Sequence, residues 1–145
     1  MIPDEHGLLR ELVHATYWID DGLQAYMREH AGLPLPRAQS MMMVYISEGV
    51  DRPADLAIRL RVSKQAVQQG LKELMAKDIV TVEPDPNSGR QKLVRFTSHG
   101  RALRDIARQG LSSVESHLVE RIGKTQVSAM RRALQADWGP APESD

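Results

Sequence analysis

Between Val62 and Leu74 the chain reads "VSKQAVQQGLKEL". Lys64, Gln68 and Lys72 are spaced by four, as are Gln65 and Gln69, so on a helix they gather on one side. Each glutamine carries a donor and an acceptor in one plane, and each lysine carries a cation. No acid interrupts this face before Glu73. An ordinary solvated helix face mixes both signs of charge. This one suits a partner that is acidic and rich in hydrogen-bonding edges. Glutamine amides match adenine edges, and lysines neutralise phosphates. A merely solvated surface is the plain alternative.

The elements around this face decide between the two. Apolar residues Leu8, Leu12, Ala15, Ile19, Leu23 and Tyr26 predict a helix from Leu8 to Glu29. The stretch "AGLPLPR" ends it. A second helix is expected over Arg37 to Glu48, stopped by Gly49. Pro53 starts a short third helix through Leu60. Arg61 and Val62 then turn the chain, and Ser63 caps a fourth helix to about Lys77. Leu56, Leu60, Val62, Val67, Leu71 and Leu74 should face inward, with the small Ala57 where the two helices cross. That is a helix-turn-helix, whose second helix is shaped for the major groove. The free N–H groups at its Ser63 end suit a phosphate.

After Asp78 the period becomes strand-like. "IVTVE" and "KLVRFT" flank "PDPNSGRQ", a β-hairpin with a long tip. Thr97 or Ser98 caps a long helix to about Ile122, and a last helix runs from Lys124 to about Asp137. The expected fold is therefore mainly α with a small β-hairpin wing, a winged helix-turn-helix. Residues 1–145 are read as a single domain, with the winged lobe over about 37–99. Helices over about 5–30 and 100–138 lie outside that lobe, and their apolar stripes are too long for so small a core to cover. They are expected to pair between subunits in a homodimer. The recognition helices would then lie about one DNA turn, roughly 34 Å, apart on a pseudo-palindromic operator.

Charge and composition agree. The net charge is +0, but residues 52–108 hold 12 Lys and Arg against 6 Asp and Glu. A basic middle between acidic ends fits a nucleic-acid surface on a neutral scaffold. The absence of cysteine excludes disulfides, thiol catalysis and cysteine-bound zinc. No apolar run approaches the roughly 18 residues of a membrane span. The start "MIPDEHGLLREL" lacks an apolar signal region, so a cytoplasmic protein is expected. His6, His14, His30, His99 and His117 form no close metal-ligand pair, so no metal and no resident cofactor are expected. No catalytic constellation or phosphate-cradling loop is visible, so an enzyme is not expected. Of Met41, Met42 and Met43, one or two should be core and the third should line an interface.

The segment "RPADLAIRLRVSKQAVQQGLKELMAKDIVTVEPDPNSGRQKLVRFTSHGRAL" resembles the core of the multiple-antibiotic-resistance regulator (MarR) family. The order matches: Leu-Ala, a Val-Ser turn, a recognition helix, a "PDP" wing, then Thr-x-x-Gly from Thr97 to Gly100. The flanking helices fit the same layout. The resemblance implies a homodimer built from the terminal helices. It also implies a sequence-specific double-stranded DNA-binding transcriptional regulator, usually a repressor that a small-molecule effector relieves. In that family an arginine near the wing tip reaches the minor groove. The matching residue is Arg90, with Lys92 beside it at the tip's exit. An Asp usually precedes the arginine and braces the wing. Its place here is Ser88, followed by Gly89, so a loosely held wing is expected. His14, Tyr17, Trp18 and Tyr45 are the candidates for an effector pocket, with core or dimer packing as their alternative. Gly70 inside the recognition helix costs about 1 kcal/mol against alanine and marks a close packing contact. A winged-helix module that binds a protein partner rather than DNA is the second functional reading.

Overall fold

The computed structural model describes residues 7–144, so His6 lies outside the described residues. The elements in chain order are helices α1 (Gly7–Ala31), α2 (Arg37–Ser47), α3 (Pro53–Leu60) and α4 (Lys64–Ala76), strands β1 (Val80–Pro84) and β2 (Lys92–Phe96), then helices α5 (Ser98–Ile122) and α6 (Lys124–Gln135). The fold is thus mainly helical with one antiparallel hairpin, as expected. No helix among the described residues is long and apolar enough to cross a membrane. The chain forms two compact units, Met1–Leu111 and Ser112–Asp145.

In the first unit, the helix-turn-helix encloses the core. Leu56, Val67, Leu74 and Ile79 are fully buried, with Met27 and Met42 almost so. Each such side chain contributes roughly 1.5–3 kcal/mol by leaving water. Met42 and Met43 are core, whereas Met41 is 38% exposed. Ala57 is buried between α3 and α4 as expected. Val62 is not: it is 45% exposed. The reason lies one residue earlier. Arg61 adopts a left-handed conformation, with φ 56 and ψ 45. This turns the chain so that the Val62 N–H bonds back to the Ala57 carbonyl while its side chain points away from the core.

Two side-chain hydroxyls set the starts of α4 and α5. The Ser63 hydroxyl accepts from the Ala66 N–H at 3.0 Å, capping α4. The Thr97 hydroxyl accepts from the Gly100 N–H at 2.9 Å, so Thr97 rather than Ser98 caps α5. Gly100 is required there. A Cβ on it would lie 2.0 Å from the Ile79 carbonyl oxygen. Between these caps β1 and β2 pair Val80 with Phe96, Val82 with Val94 and Pro84 with Lys92. The Val94 N–H also bonds the Asp51 carbonyl at 2.7 Å, which ties the hairpin to the segment entering α3. Gly70 lies against the Met42 thioether, where a Cβ would come within 2.7 Å of the sulfur. That is the close contact its position suggested.

The stripe expected on α1 is only partly covered within this unit. Leu23 packs on the core, and Met27, absent from the expected stripe, is its most buried residue. Leu8, Leu9, Tyr17, Trp18 and Ile19 remain exposed. In the second unit Val114 and Val127 are buried, and Arg131 donates to Glu115 at 2.7 Å. Ile122, Met130, Leu134 and Trp138 are exposed.

Candidate nucleic-acid interface

Helix α4 presents one face to the core through Val67, Leu71 and Leu74. That leaves Lys64, Gln65, Gln68, Gln69 and Lys72 exposed. Ser63 is also exposed. Its oxygen holds the cap, and its O–H remains able to donate.

The hairpin brings a second basic group alongside. A cleft of about 530 Å³ lies between α4, the start of α3 and the wing. Lys64 and Gln68 line it from α4, Arg90 and Lys92 from the wing, and Arg52 from the entry to α3. Asp55 is the one acid in its lining. Three of these cations, Lys64, Arg90 and Lys92, face one concave surface that attracts phosphate, while Arg52 is paired with Asp85. Residues 64 and 90 are far apart in sequence, so only the fold unites them.

The base of the wing is held by a group other than Ser88. Asp85, at the start of the tip, is buried at 6% exposure. Its carboxylate accepts from Arg52 Nη2 at 2.7 Å and from the Asn87 N–H at 2.9 Å. The Asp85 N–H donates to the Gln91 carbonyl, and its own carbonyl accepts from the Ser88 N–H. The wing is therefore anchored at its base by an acid three residues before Ser88. Arg90 and Lys92 extend from that anchored base and are exposed. Sequence reasoning quoted the "PDP" motif but missed the role of its acid, because Arg52 lies 33 residues away.

The second feature missed lies on the opposite flank of α4. Gln39 of α2 is 4% exposed. Its amide nitrogen donates to Glu73 Oε2 at 2.6 Å, and its oxygen accepts from Lys77 Nζ at 2.6 Å. The other Glu73 oxygen accepts from Gln69 Nε2 at 3.0 Å. The hydrogen bonds from Gln69 and Gln39, aided by the Lys77 charge, hold the Glu73 carboxyl below the ordinary glutamate range. The glutamine face is thus divided. Gln68 faces the wing cleft, and Gln69 borders an apolar cleft against α2.

The four effector-pocket candidates are not brought together. Tyr45 lines the cleft between α2 and α4. Tyr17 packs under the Arg37 guanidinium, 4.1 Å from its ring centre. His14 and Trp18 are exposed on α1. A different cavity, of about 490 Å³, opens between α1, α2 and the first half of α5. Ile19, Leu23, Met43 and Leu111 line it, with Ser40 and Arg104 among its polar groups. Arg104 Nε is buried without a hydrogen-bond partner, 3.6 Å from the Asp105 carboxylate with which it forms an ion pair.

The same fold recurs among known proteins. The sequence model of the MarR family matches residues 31–91, the span from the end of α1 through the wing tip. No curated protein matches the chain as a relative. Among solved structures, wild-type MarR from E. coli in its apo form is 24% identical, covers 93% of this chain and 96% of its own, and superposes with a TM-score of 0.73. A mutant MarR from E. coli complexed with operator DNA is 25% identical over 90% of this chain and 94% of its own, with a TM-score of 0.70. CouR from Rhodococcus jostii RHA1, bound to p-coumaroyl-CoA, is 23% identical over 97% and 96%, with a TM-score of 0.68.

Proposed function

From a chain that carries the MarR-family match over residues 31–91 and the winged-helix fold of MarR-family transcriptional regulators, we propose a sequence-specific regulator of transcription that binds double-stranded DNA as a homodimer. One observation carries this reading: the exposed Lys64 and Gln68 of α4 share a single basic cleft with Arg90 and Lys92 of the wing. Helix α4 enters the major groove, where Gln65, Gln68 and Gln69 meet base edges. Ser63, Lys64 and Lys72 meet phosphates and set the register. The anchored wing carries Arg90 toward the adjacent minor groove, with Lys92 on the backbone. Binding of a MarR to operator DNA in a solved structure supports the same docking for this chain.

Dimerisation supplies two such units to a pseudo-palindromic site. The exposed Leu8, Leu9, Tyr17 and Trp18 of the first unit support it, as do Met130, Leu134 and Trp138 of the second. Apolar surface of this kind marks an interaction site. The cavity beside Arg104 supports control by a small effector with an apolar body and a group that accepts from the guanidinium. Filling it shifts the balance between DNA-competent and incompetent arrangements, and repression relieved by ligand is the mode this suits.

The test is fluorescence anisotropy of the full-length protein on duplex DNA from upstream of its own gene, against an unrelated duplex, over a salt series. The expected result is preference for the upstream DNA and a steep loss of affinity with salt, as bound counterions are released. Affinity that is flat in salt, with no preference between duplexes, would contradict it and favour a protein partner.

A further inference from the structure

We infer that Glu73 is a positioning residue: it fixes the Gln69 amide so that this glutamine selects adenine over guanine. The inference rests on the reading of α4 as a DNA-reading helix and adds what that reading leaves open, namely which base one of its glutamines accepts.

The chain of contacts starts in the interior. Gln39 is buried, and both ends of its amide are engaged. Its nitrogen faces a carboxylate, which only accepts, and its oxygen faces an ammonium, which only donates. Flipping this amide would set donor against donor and acceptor against acceptor, so its orientation is determined by chemistry. Gln39 therefore holds one Glu73 oxygen at a fixed place, 2.6 Å away. The second Glu73 oxygen then faces Gln69 at 3.0 Å. Because that oxygen can only accept, Gln69 must turn its nitrogen toward it.

The outer edge of Gln69 follows by subtraction. An unconstrained glutamine offers two N–H donors and one acceptor. Glu73 occupies one donor, which leaves one N–H beside one oxygen. Adenine presents an acceptor at N7 and a donor at N6 in the major groove, the complement of that edge. Guanine presents acceptors at both N7 and O6, so two donors are needed to match it. Gln69 can supply two only by breaking its bond to Glu73. That would leave a carboxylate beside DNA with one partner fewer.

Glutamine at position 73 removes this constraint while keeping the side chain's size. Its amide oxygen serves Gln39, and its N–H₂ then faces Gln69, which turns its own oxygen inward and frees both of its N–H donors. Position 73 is exposed, so the change leaves the core intact.

The experiment selects preferred sites from a random duplex library with the full-length protein, then compares wild type, Gln69→Ala, Glu73→Gln, Gln39→Ala and the Gln69→Ala/Glu73→Gln double variant. Binding is measured on the selected duplex with adenine or guanine at the position whose preference Gln69→Ala removes. Glu73→Gln is expected to lower the adenine-to-guanine ratio there about tenfold, the scale of one bidentate contact, without lowering affinity for random duplex. Gln39→Ala should act in the same direction, and Glu73→Gln should add nothing in the Gln69→Ala background. If Gln69→Ala removes a base preference that Glu73→Gln leaves intact, the positioning role is overturned and the reading helix stands. The positioning role is also overturned if Glu73→Gln instead changes preference at a different base pair, since Glu73 would then contact DNA itself. If Gln69→Ala leaves every base preference intact, base reading by Gln69 is wrong, and the role of Glu73 falls with it.

Discussion

Arg52 donates to Asp85 at 2.7 Å across 33 residues of chain, and this bond fixes the base of the wing to the entry of α3. The Asp85 side chain is 3% exposed and that of Arg52 34%. A carboxylate this buried is tolerated only when its oxygens are engaged, and here Arg52 and the Asn87 N–H engage them.

Asp85→Asn keeps the shape and removes the charge. It is expected to lower stability by about 1–3 kcal/mol and to speed amide hydrogen exchange at Asn87 and Ser88, whose N–H groups bond to Asp85. Ser88→Asp, which adds an acid at the position the family resemblance assigns to one, should leave that exchange nearly unchanged, since the anchor already exists. Exchange and urea denaturation together check this. Wing amides that exchange equally fast in wild type and Asp85→Asn would show that the anchor does not hold the tip.

Gly100 and Gly70 make opposite cases. A Cβ at Gly100 meets backbone, the Ile79 carbonyl oxygen at 2.0 Å. Gly100→Ala should therefore cost about 3 kcal/mol or more, since strand and helix must separate. A Cβ at Gly70 meets only the Met42 thioether, the flexible end of a side chain. Gly70→Ala also gains about 1 kcal/mol of helix propensity, so its net effect should lie near zero. Urea unfolding of the two variants separates backbone collision from side-chain contact.

Much of the architecture was legible because its signals are local. Ser63 before a periodic stretch, Thr97 three residues before Gly100, and β-branched runs either side of "PDPNSGRQ" each act within a few residues. Val62 was misread for want of one dihedral, since nothing in its type reveals that Arg61 turns left-handed. The exposed Lys and Gln face of α4 was legible from period alone. Its supports were not. Gln39 meets Glu73 across 34 residues and Arg52 meets Asp85 across 33, and polar pairs so far apart leave no periodic trace. The cavity between α1, α2 and α5 was missed because its wall is ordinary aliphatic side chains. The aromatic Tyr17 and Trp18, which drew attention, are about half exposed.

The hydrogen bonds to Glu73 carry a pH signature. Its carboxyl is held below the ordinary glutamate range, chiefly by Gln69 and then by Gln39. A lowered folded-state value means that the stabilisation is fully present above the ordinary range and is lost as pH falls through the lowered value. Carboxyl-carbon NMR should find Glu73 titrating below a normal glutamate in wild type and moving up in Gln69→Ala and Gln39→Ala. Titration at the ordinary value in wild type would mean that these bonds do not form in solution.

The uncovered stripes predict assembly. Light scattering at micromolar concentration should give twice the mass of one chain. Leu9→Glu and Trp138→Glu, which place charge on the exposed apolar positions of the two units, should each shift that mass toward the monomer while helical content persists. A monomeric wild type would remove the symmetric, two-unit mode of binding.

Base reading by α4 is tested most directly by equilibrium binding of Gln65→Ala, Gln69→Ala and Lys64→Ala to a selected duplex and a random one over a salt series. Each glutamine variant should weaken the selected site by on the order of 1–3 kcal/mol while barely changing the random duplex. Lys64→Ala should weaken both about equally and flatten the salt slope, as loss of one phosphate contact requires. If the glutamine variants lower selected and random binding alike, α4 does not read bases in this protein.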